Sequence, residues 1–346
     1  MSKIQHPASK TKHTFGNIIN TFSFIFHEKR NGKRGTFASS KMKIEVKKIN
    51  TLTGHAGSVY TLEKGVSDHT FFSGSSDKFV ALWNLKTMQS ENFAAKFPAI
   101  IYAIAHIPEK NLLLVGTSAG SIHIVDLATK EEIKLLQHHT SPVFDIKYSL
   151  LTNCFYTAAG DGTFAICSLE DLSVIKIKKL CNEKVRSIDI NYFTSEIAVA
   201  SGDCNIRIYD LFTLEEKNSF IAHQLSANIV KYYPLGNLLL SGGRDAHLNI
   251  WDAYTYKLIK SIPAHNFAIY HIVFSPDYKL FATASRDKTL KIWNAETFDL
   301  LIRISKENYE GHVNSVNKLI WSTCNNYLIS TGDDRAIMVW QINSVD

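Results

Sequence analysis

The sequence predicts an all-β fold built from seven copies of one four-stranded unit, and two observations carry that reading. The first is a recurring pair of apolar runs around an acidic turn. Residues 71–84, 238–252 and 280–294 each read as two short strands joined near Asp77, Asp245 or Asp287. The second is the period. The last column of the unit holds Trp83, Val125, Cys167, Tyr209, Trp251, Trp293 and Trp340, spaced by 42 residues five times and by 47 once. A period near that value accommodates about four strands and their turns. Twenty-eight residues before each slot stand His55, Phe97, His139, Cys181, His223, His265 and His312. Six before it stand Asp77, Ala119, Asp161, Asp203, Asp245, Asp287 and Asp334, and four before those stand Ser73, Val115, Thr157, Val199, Ser241, Thr283 and Ser330. Chance does not hold four columns in phase across seven copies.

The Gly-His pairs Gly54-His55 and Gly311-His312, with the endings Trp83-Asn84, Trp251-Asp252 and Trp293-Asn294, complete the pattern. From residue 42 to residue 346 the chain resembles the WD40-repeat family. The resemblance implies a seven-bladed β-propeller, each blade a four-stranded antiparallel sheet around a central channel. It also implies that the His, Ser/Thr, Asp and Trp of one repeat form a hydrogen-bonded tetrad. Repeats one, five, six and seven hold the full set: His55-Ser73-Asp77-Trp83, His223-Ser241-Asp245-Trp251, His265-Thr283-Asp287-Trp293 and His312-Ser330-Asp334-Trp340. Repeat two departs at every column. Repeat three has Cys167 in the Trp slot, and repeat four has Cys181, Val199 and Tyr209. Blades two to four are therefore expected to hold together by packing rather than by the polar network.

Taken from its start, the chain is uneven in charge. Residues 1–41 hold eight Lys or Arg against Glu28 alone, a net +7, so the overall +6 leaves the remainder at −1. A nucleic-acid reader shows a basic face on its folded domain, and net charge gives no such face here. Residues 18–26 are apolar but too short to span a bilayer, and no signal-peptide cleavage pattern follows them. Residues 1–41 read as a disordered or spurious extension, with Met42 as an alternative start. Residues 43–49 then alternate as a strand should. The last repeat stops just after Trp340 and so lacks its outer strand. The segment at about 42–49 is expected to supply it, closing the ring and removing a free sheet edge.

Repeat six shows the blade most clearly. Residues 269–274 read as the inner strand, 280–283 and 290–293 as the middle pair, and 300–304 as the outer strand. The five residues by which the last interval exceeds the others fall between Leu300 and His312, where residues 305–310 form a polar extension of the loop into the last blade. Extra loop length on a rigid scaffold is a place where function collects.

Catalytic readings fare poorly. The recurring Ser, His and Asp are not hydrolase triads, because four catalytic sites in one chain serve no purpose and a Trp accompanies each set. A buried Asp and His need partners, since an orphaned buried polar group costs about 1–3 kcal/mol. The stretch at 116–121 lacks the Lys of a phosphate loop. Cys154, Cys167, Cys181, Cys204 and Cys324 occur singly, which argues against a disulfide framework or zinc site and fits a reducing, cytoplasmic compartment. His138-His139 is a lone pair whose second member is the repeat's own His. No metal, cofactor or catalytic residue is expected.

What remains is a surface. In the family, partners dock on the face that carries the loop into each blade and the Asp turn. Five residues after the His column stand Tyr60, Tyr102, Phe144, Arg186, Asn228, Tyr270 and Asn317, and Lys184 lies three after Cys181. Arg244 and Arg286 precede the Asp of repeats five and six. Tyr and Arg dominate binding energy at interfaces, and the Arg fork fits carboxylate or phosphate. The expected function is a non-catalytic protein–protein interaction scaffold, a monomeric propeller within a larger complex and not at a membrane. Its partner-binding residues would be Tyr60, Tyr102, Phe144, Lys184, Arg186, Arg244, Tyr270 and Arg286, its partner a protein or peptide with an apolar anchor and an acidic or phosphorylated element. Two alternatives are a propeller enzyme or small-ligand binder using the channel, and a nucleic-acid or chromatin reader relying on the basic tail.

Overall fold

A computed structural model describes residues 42–345, which form seven four-stranded antiparallel sheets. The expectation for residues 1–41 lies outside the described residues. Strand β1 (Lys43–Leu52) comes first. Blade one is β2 (Val59–Lys64), β3 (Thr70–Ser75), β4 (Phe79–Asn84) and β5 (Gln89–Lys96). Blade two is β6 (Ile101–Ile107), β7 (Leu112–Thr117), β8 (Ile122–Asp126) and β9 (Glu131–Leu136). Blade three is β10 (Val143–Ser149), β11 (Cys154–Ala159), β12 (Thr163–Ser168) and β13 (Val174–Lys179). Blade four is β14 (Val185–Asn191), β15 (Glu196–Ser201), β16 (Asn205–Asp210) and β17 (Glu216–Ile221). Blade five is β18 (Ala227–Tyr232), β19 (Leu238–Gly243), β20 (His247–Asp252) and β21 (Leu258–Pro263). Blade six is β22 (Ile269–Phe274), β23 (Leu280–Ser285), β24 (Leu290–Asn294) and β25 (Leu300–Ile304). Blade seven holds β26 (Val316–Trp321), β27 (Tyr327–Gly332) and β28 (Ile337–Val345), and β1 is its outer strand.

The ring therefore closes through β1, whose pairing with β28 runs from Lys43 opposite Val345 to Leu52 opposite Ile337. The strand extends three residues beyond the 42–49 segment expected. Val46 and Leu52 turn inward and are buried. Residues 305–310, read as a polar loop, contain a single helical turn, α1 (Lys306–Tyr309), ended by Glu310 in the left-handed region at φ 53°. Lys48 of β1 donates to the Glu310 carbonyl at 2.8 Å, tying that insertion to the closing strand.

Seven apolar clusters hold the molecule, one at each interface between neighbouring blades. Strands β3, β7, β15, β23 and β27 are buried along their whole length. They lie between strands within a blade and between blades across the ring, which explains why apolar and small residues dominate them. The outer strands β9, β13 and β21 are mostly exposed.

One backbone device repeats in all seven blades. Each inner strand has a register shift two residues wide at its start: Val59/Thr61, Ile101/Ala103, Val143/Asp145, Val185/Ser187, Ala227/Ile229, Ile269/His271 and Val316/Lys318. A bulge leaves one residue unpaired and re-aims its side chain. The bulged residues are Tyr60, Tyr102, Phe144, Arg186, Asn228, Tyr270 and Asn317.

Candidate protein-interaction face

Polar quartets position the turns of one face. In blade one, Trp83 Nε1 donates to Ser73 Oγ at 2.7 Å, Ser73 Oγ meets His55 Nε2 at 2.7 Å, and His55 Nδ1 meets Asp77 at 2.8 Å. An indole only donates and a carboxylate only accepts, so the bonds run in one direction, from Trp through Ser and His to Asp. The same chain links Trp251, Ser241, His223 and Asp245, with bonds of 2.9, 2.9 and 3.0 Å. It links Trp293, Thr283, His265 and Asp287 at 3.0, 2.7 and 2.9 Å, and Trp340, Ser330, His312 and Asp334 at 2.9, 2.8 and 2.9 Å. Each Asp also accepts the backbone N–H that follows its His, as Ala56 gives to Asp77 and Asn266 to Asp287. The loop into the blade is thereby tied to the turn between its middle strands, and both open on the same face.

Blades two to four correct the expectation that packing alone holds them, because each builds a polar substitute. In blade three Thr157 keeps its bond to His139 Nε2 at 2.7 Å, while Thr163 Oγ1 stands between His139 Nδ1 (2.7 Å) and Asp161 (2.5 Å). In blade four Arg207 reaches back along its own sheet and grips Ser201 at 2.7 Å and Asp203 at 2.5 Å, with Ser201 donating to Asp203 at 2.6 Å. In blade two Thr117, Ser121, His123 and Glu132 form a chain of 2.6, 3.1 and 2.7 Å bonds. The reason is energetic: a turn closed by polar groups at the ring's edge needs a partner for every donor left out of water.

These networks make stability pH-dependent. Burial pushes His139 down to about 4, its neighbour His138 adds to the shift, and Asp161 opposes it. The unfolded imidazole takes its proton near ~6.5 and the folded one does not, so stability falls as pH drops from there toward about 4. With a side chain of zero exposure the loss amounts to about 3 kcal/mol over that window. Below it a second loss follows, because Arg207 and Ser201 overcome burial to hold Asp203 down at about 2. Urea unfolding at pH 7 and 4.5 checks this. His139→Gln is expected to show a smaller drop than the parent chain, and an equal drop would remove the assignment.

The bulged column converges on the channel mouth. Tyr60 and Tyr102 stack with centroids 4.7 Å apart, and Tyr102 meets Phe144 edge-on at 5.6 Å. The Arg186 guanidinium lies 5.2 Å from the Phe144 centroid, and Lys184 Nζ lies 5.8 Å from it. These four bulged side chains and Tyr270 share a cavity of about 290 Å³ with His271, Lys318 and Asp333. Asn317 bridges the mouth, donating to Val59 O at 3.1 Å and to Asp333 at 2.9 Å. Beside the mouth, a groove of about 580 Å³ brings Lys184, Arg186, Arg244, Tyr270 and Arg286 together. Arg244, Arg286 and Lys184 are exposed, whereas the aromatics and Arg186 are half-buried.

Sequence reasoning missed a layer of charge deeper in the channel. Lys147 pairs with Asp145 at 3.3 Å and Lys231 with Asp189 at 2.7 Å. Both carboxylates also accept backbone donors, Ile188 N to Asp145 at 2.9 Å and Tyr232 N to Asp189 at 2.7 Å. Burial pushes Lys318 down to about 8, with Asp145 only partly offsetting it, and pushes His271 well below its usual range. Asp145 joins Asp333 as a carboxylate of the mouth cavity. The signal was present: residues six after the His column (Asp145, His271, Lys318) and eight after it (Lys147, Asp189, Lys231) also reach the channel, and only the position five after was read.

Comparison with known proteins agrees with this architecture. The family described as "WD domain, G-beta repeat" matches residues 46–84, 214–252, 256–294 and 304–341. Those are the repeats with intact tetrads. The chain is 28% identical over 246 residues to WD repeat-containing protein SL1-17 of Schistosoma mansoni, covering 58% of this chain and 81% of that protein. It is 21% identical over 207 residues to eukaryotic translation initiation factor 3 subunit I of Aspergillus terreus, covering 57% and 60%. To a protein LST8 homolog of Drosophila pseudoobscura pseudoobscura it is 27% identical over 118 residues, covering 32% and 37%. The match thus spans less than two thirds of the latter two. WD40 propellers are in general protein-interaction scaffolds and typically not enzymes. Repeats, tetrads and ring together place this chain in the WD40-repeat family, as a seven-bladed β-propeller.

Proposed function

We propose that the protein is a non-catalytic scaffold, a single propeller in a larger cytoplasmic assembly, that receives a protein or peptide on its His–Asp face. The partner presents an apolar anchor to Tyr60, Tyr102, Phe144 and Tyr270, and an acidic or phosphorylated element to Lys184, Arg186, Arg244 and Arg286. The observation that carries this reading is the run of aromatic rings that ends beneath Arg186 and opens into the basic groove. Aromatic anchors next to guanidinium groups are the side-chain set that concentrates binding energy. Relatives named as a subunit of an initiation factor and as LST8 support protein partners in general. The channel carboxylates Asp145 and Asp189 are each engaged by a lysine and a backbone N–H, which favours a structural role for them over a catalytic one.

The test is affinity capture from the source cell with parent chain and with Arg244→Ala plus Arg286→Ala. Recovery of the main partner is expected to fall at least tenfold, since two charged contacts are each worth about 1.5–3 kcal/mol. Both positions are exposed, so the melting temperature is expected to stay within a degree or two of the parent. Undiminished recovery with an intact fold would remove the proposal.

A further inference from the structure

The antiparallel order of each blade sends its first and third strands out on the face opposite the His–Asp turns. On blades three to six that opposite face is unlike the rest of the molecule. Leu151 is 62% exposed, Tyr192 54%, Phe193 58%, Phe212 57% and Tyr254 62%. All five lie in turns between first and second or third and fourth strands. In the corresponding turns of blades seven, one and two, Val66 is the only large exposed apolar side chain among the described residues.

The turns are joined into one surface. Tyr192 Oη donates to the Tyr148 carbonyl at 3.3 Å, Asn191 Nδ2 to Gly236 O at 3.0 Å, and Tyr233 Oη to Tyr278 O at 3.3 Å. Blades three, four, five and six are thus stitched in sequence. Gly236 sits at φ +85°, and a Cβ there would lie 2.6 Å from the Phe193 ring, so the glycine lets that turn close on the aromatic. Between them lies a cleft of about 340 Å³ lined chiefly by Tyr148, Tyr192, Phe193, Tyr232, Tyr233 and Pro234, where Lys147 and Lys231 also reach but are held by Asp145 and Asp189. A contiguous exposed apolar surface of this kind marks an interaction site.

Charge says what kind of partner fits. The turns of blades three to six on this face hold Glu170, Asp171, Glu215, Asp277, Glu296 and Asp299 against Lys257 and Lys279, a net −4. Those of blades seven, one and two hold Asp68 and Glu109 against Lys86, Lys110 and Lys130, a net +1. The exposed apolar turns lie on blades three to five and the acidic residues on blades three, four and six, so the two overlap on blades three and four and the acidic rim flanks the apolar surface at blade six. An anionic lipid surface is repelled by such a rim, and a cationic chain is drawn to it.

We propose that the face of blades three to six opposite the His–Asp turns docks a basic amphipathic segment of a partner protein. Its apolar side chains cover Tyr192, Phe193, Phe212 and Leu151, and its Lys and Arg residues meet the acidic rim. This surface is separate from the one assigned above, so the propeller holds two partners at once, one on each face.

The probe is a fluorescent fourteen-residue peptide of Leu and Lys with helical periodicity, titrated against the full chain, with the same peptide in Leu and Glu as its counterpart. Saturable binding is expected for the Leu/Lys peptide, weakening severalfold as salt rises from low to moderate concentration. Tyr192→Ser plus Phe212→Ser is expected to weaken it at least tenfold. Glu170→Lys plus Glu215→Lys is expected to weaken it and flatten its salt dependence. Arg244→Ala plus Arg286→Ala leaves it unchanged, which separates this site from the His–Asp face. The proposal is overturned by absence of saturable binding, by equal binding of the Leu/Glu peptide, or by undiminished binding to the aromatic double variant.

Discussion

A chain that begins at Thr53 is expected not to reach the native state, whereas one that begins at Met42 is expected to fold. The difference between the two is β1. Without it β28 loses its partner from Ile337 to Ser344 and becomes a long free edge. The buried side chains of Val46 and Leu52 leave with it. Each ladder hydrogen bond contributes about 1 kcal/mol net and each apolar side chain about 2 kcal/mol. The sum approaches the whole stability of a typical domain, about 5–15 kcal/mol. An exposed β28 would pair with another copy of itself, so the shorter chain is expected to scatter light and lose its cooperative thermal transition. A soluble monomer with the melting temperature of the longer chain would show that the ring does not depend on its closing strand. A milder probe, Val46→Asp, places a charge in the cluster of Trp321, Trp340 and Ile342 and is expected to lower stability without destroying the fold.

Asp287→Ala is the single substitution in a tetrad with the largest expected effect. The Asp287 side chain is 5% exposed. It holds His265 Nδ1 at 2.9 Å, Asn266 N at 3.1 Å, Thr289 N at 3.0 Å and Thr289 Oγ1 at 2.6 Å. Those bonds overcome burial and keep its carboxyl well below the usual carboxylate range. Alanine strands four donors at once. Each buried donor left without its acceptor costs about 1–3 kcal/mol. Glu170→Ala, on an exposed turn without such partners, is expected to stay within about 0.5 kcal/mol. Urea unfolding of the two variants decides the matter, and similar midpoints would mean that the polar quartet contributes nothing beyond its neighbours' packing.

Several features of the molecule were readable in advance because each depends on residues at constant separation in one chain. The period exposes the number of blades, since every blade must bury the same kind of sheet against the next. The full tetrads of repeats one, five, six and seven follow from four residue types in fixed columns, and their bonds follow from blade geometry that repeats with the period. The placement of β1 beside β28 follows from counting strands, because a repeat that stops after its third strand leaves one edge unfilled. At the channel mouth, Tyr60, Tyr102, Phe144, Arg186 and Tyr270 meet in one cavity, and Lys184, Arg244 and Arg286 lie in the adjoining groove.

Other features escaped the columns. Arg207 serves blade four from the position where no tetrad residue belongs, and Thr163 relays for His139 in blade three. A substitute of this kind has no fixed spacing; it needs only to reach. The channel pairs Lys147–Asp145 and Lys231–Asp189 were hidden because a one-residue bulge shifts which side chains face inward. The exposed aromatic residues Tyr192, Phe193, Phe212 and Tyr254 on the opposite face belong to no column, and only the ring brings their turns to one side of the molecule.

By itself, then, the sequence determined the repeat, its count, the residues able to form quartets and the strand that closes the circle, because these are matters of separation along one chain. Only the tertiary structure decided which polar groups replace a missing tetrad, which charges meet in the channel, and which turns merge into a continuous surface. Those depend on distances between different blades, where a long arginine, a bulged backbone or a glycine at φ +85° sets what touches what.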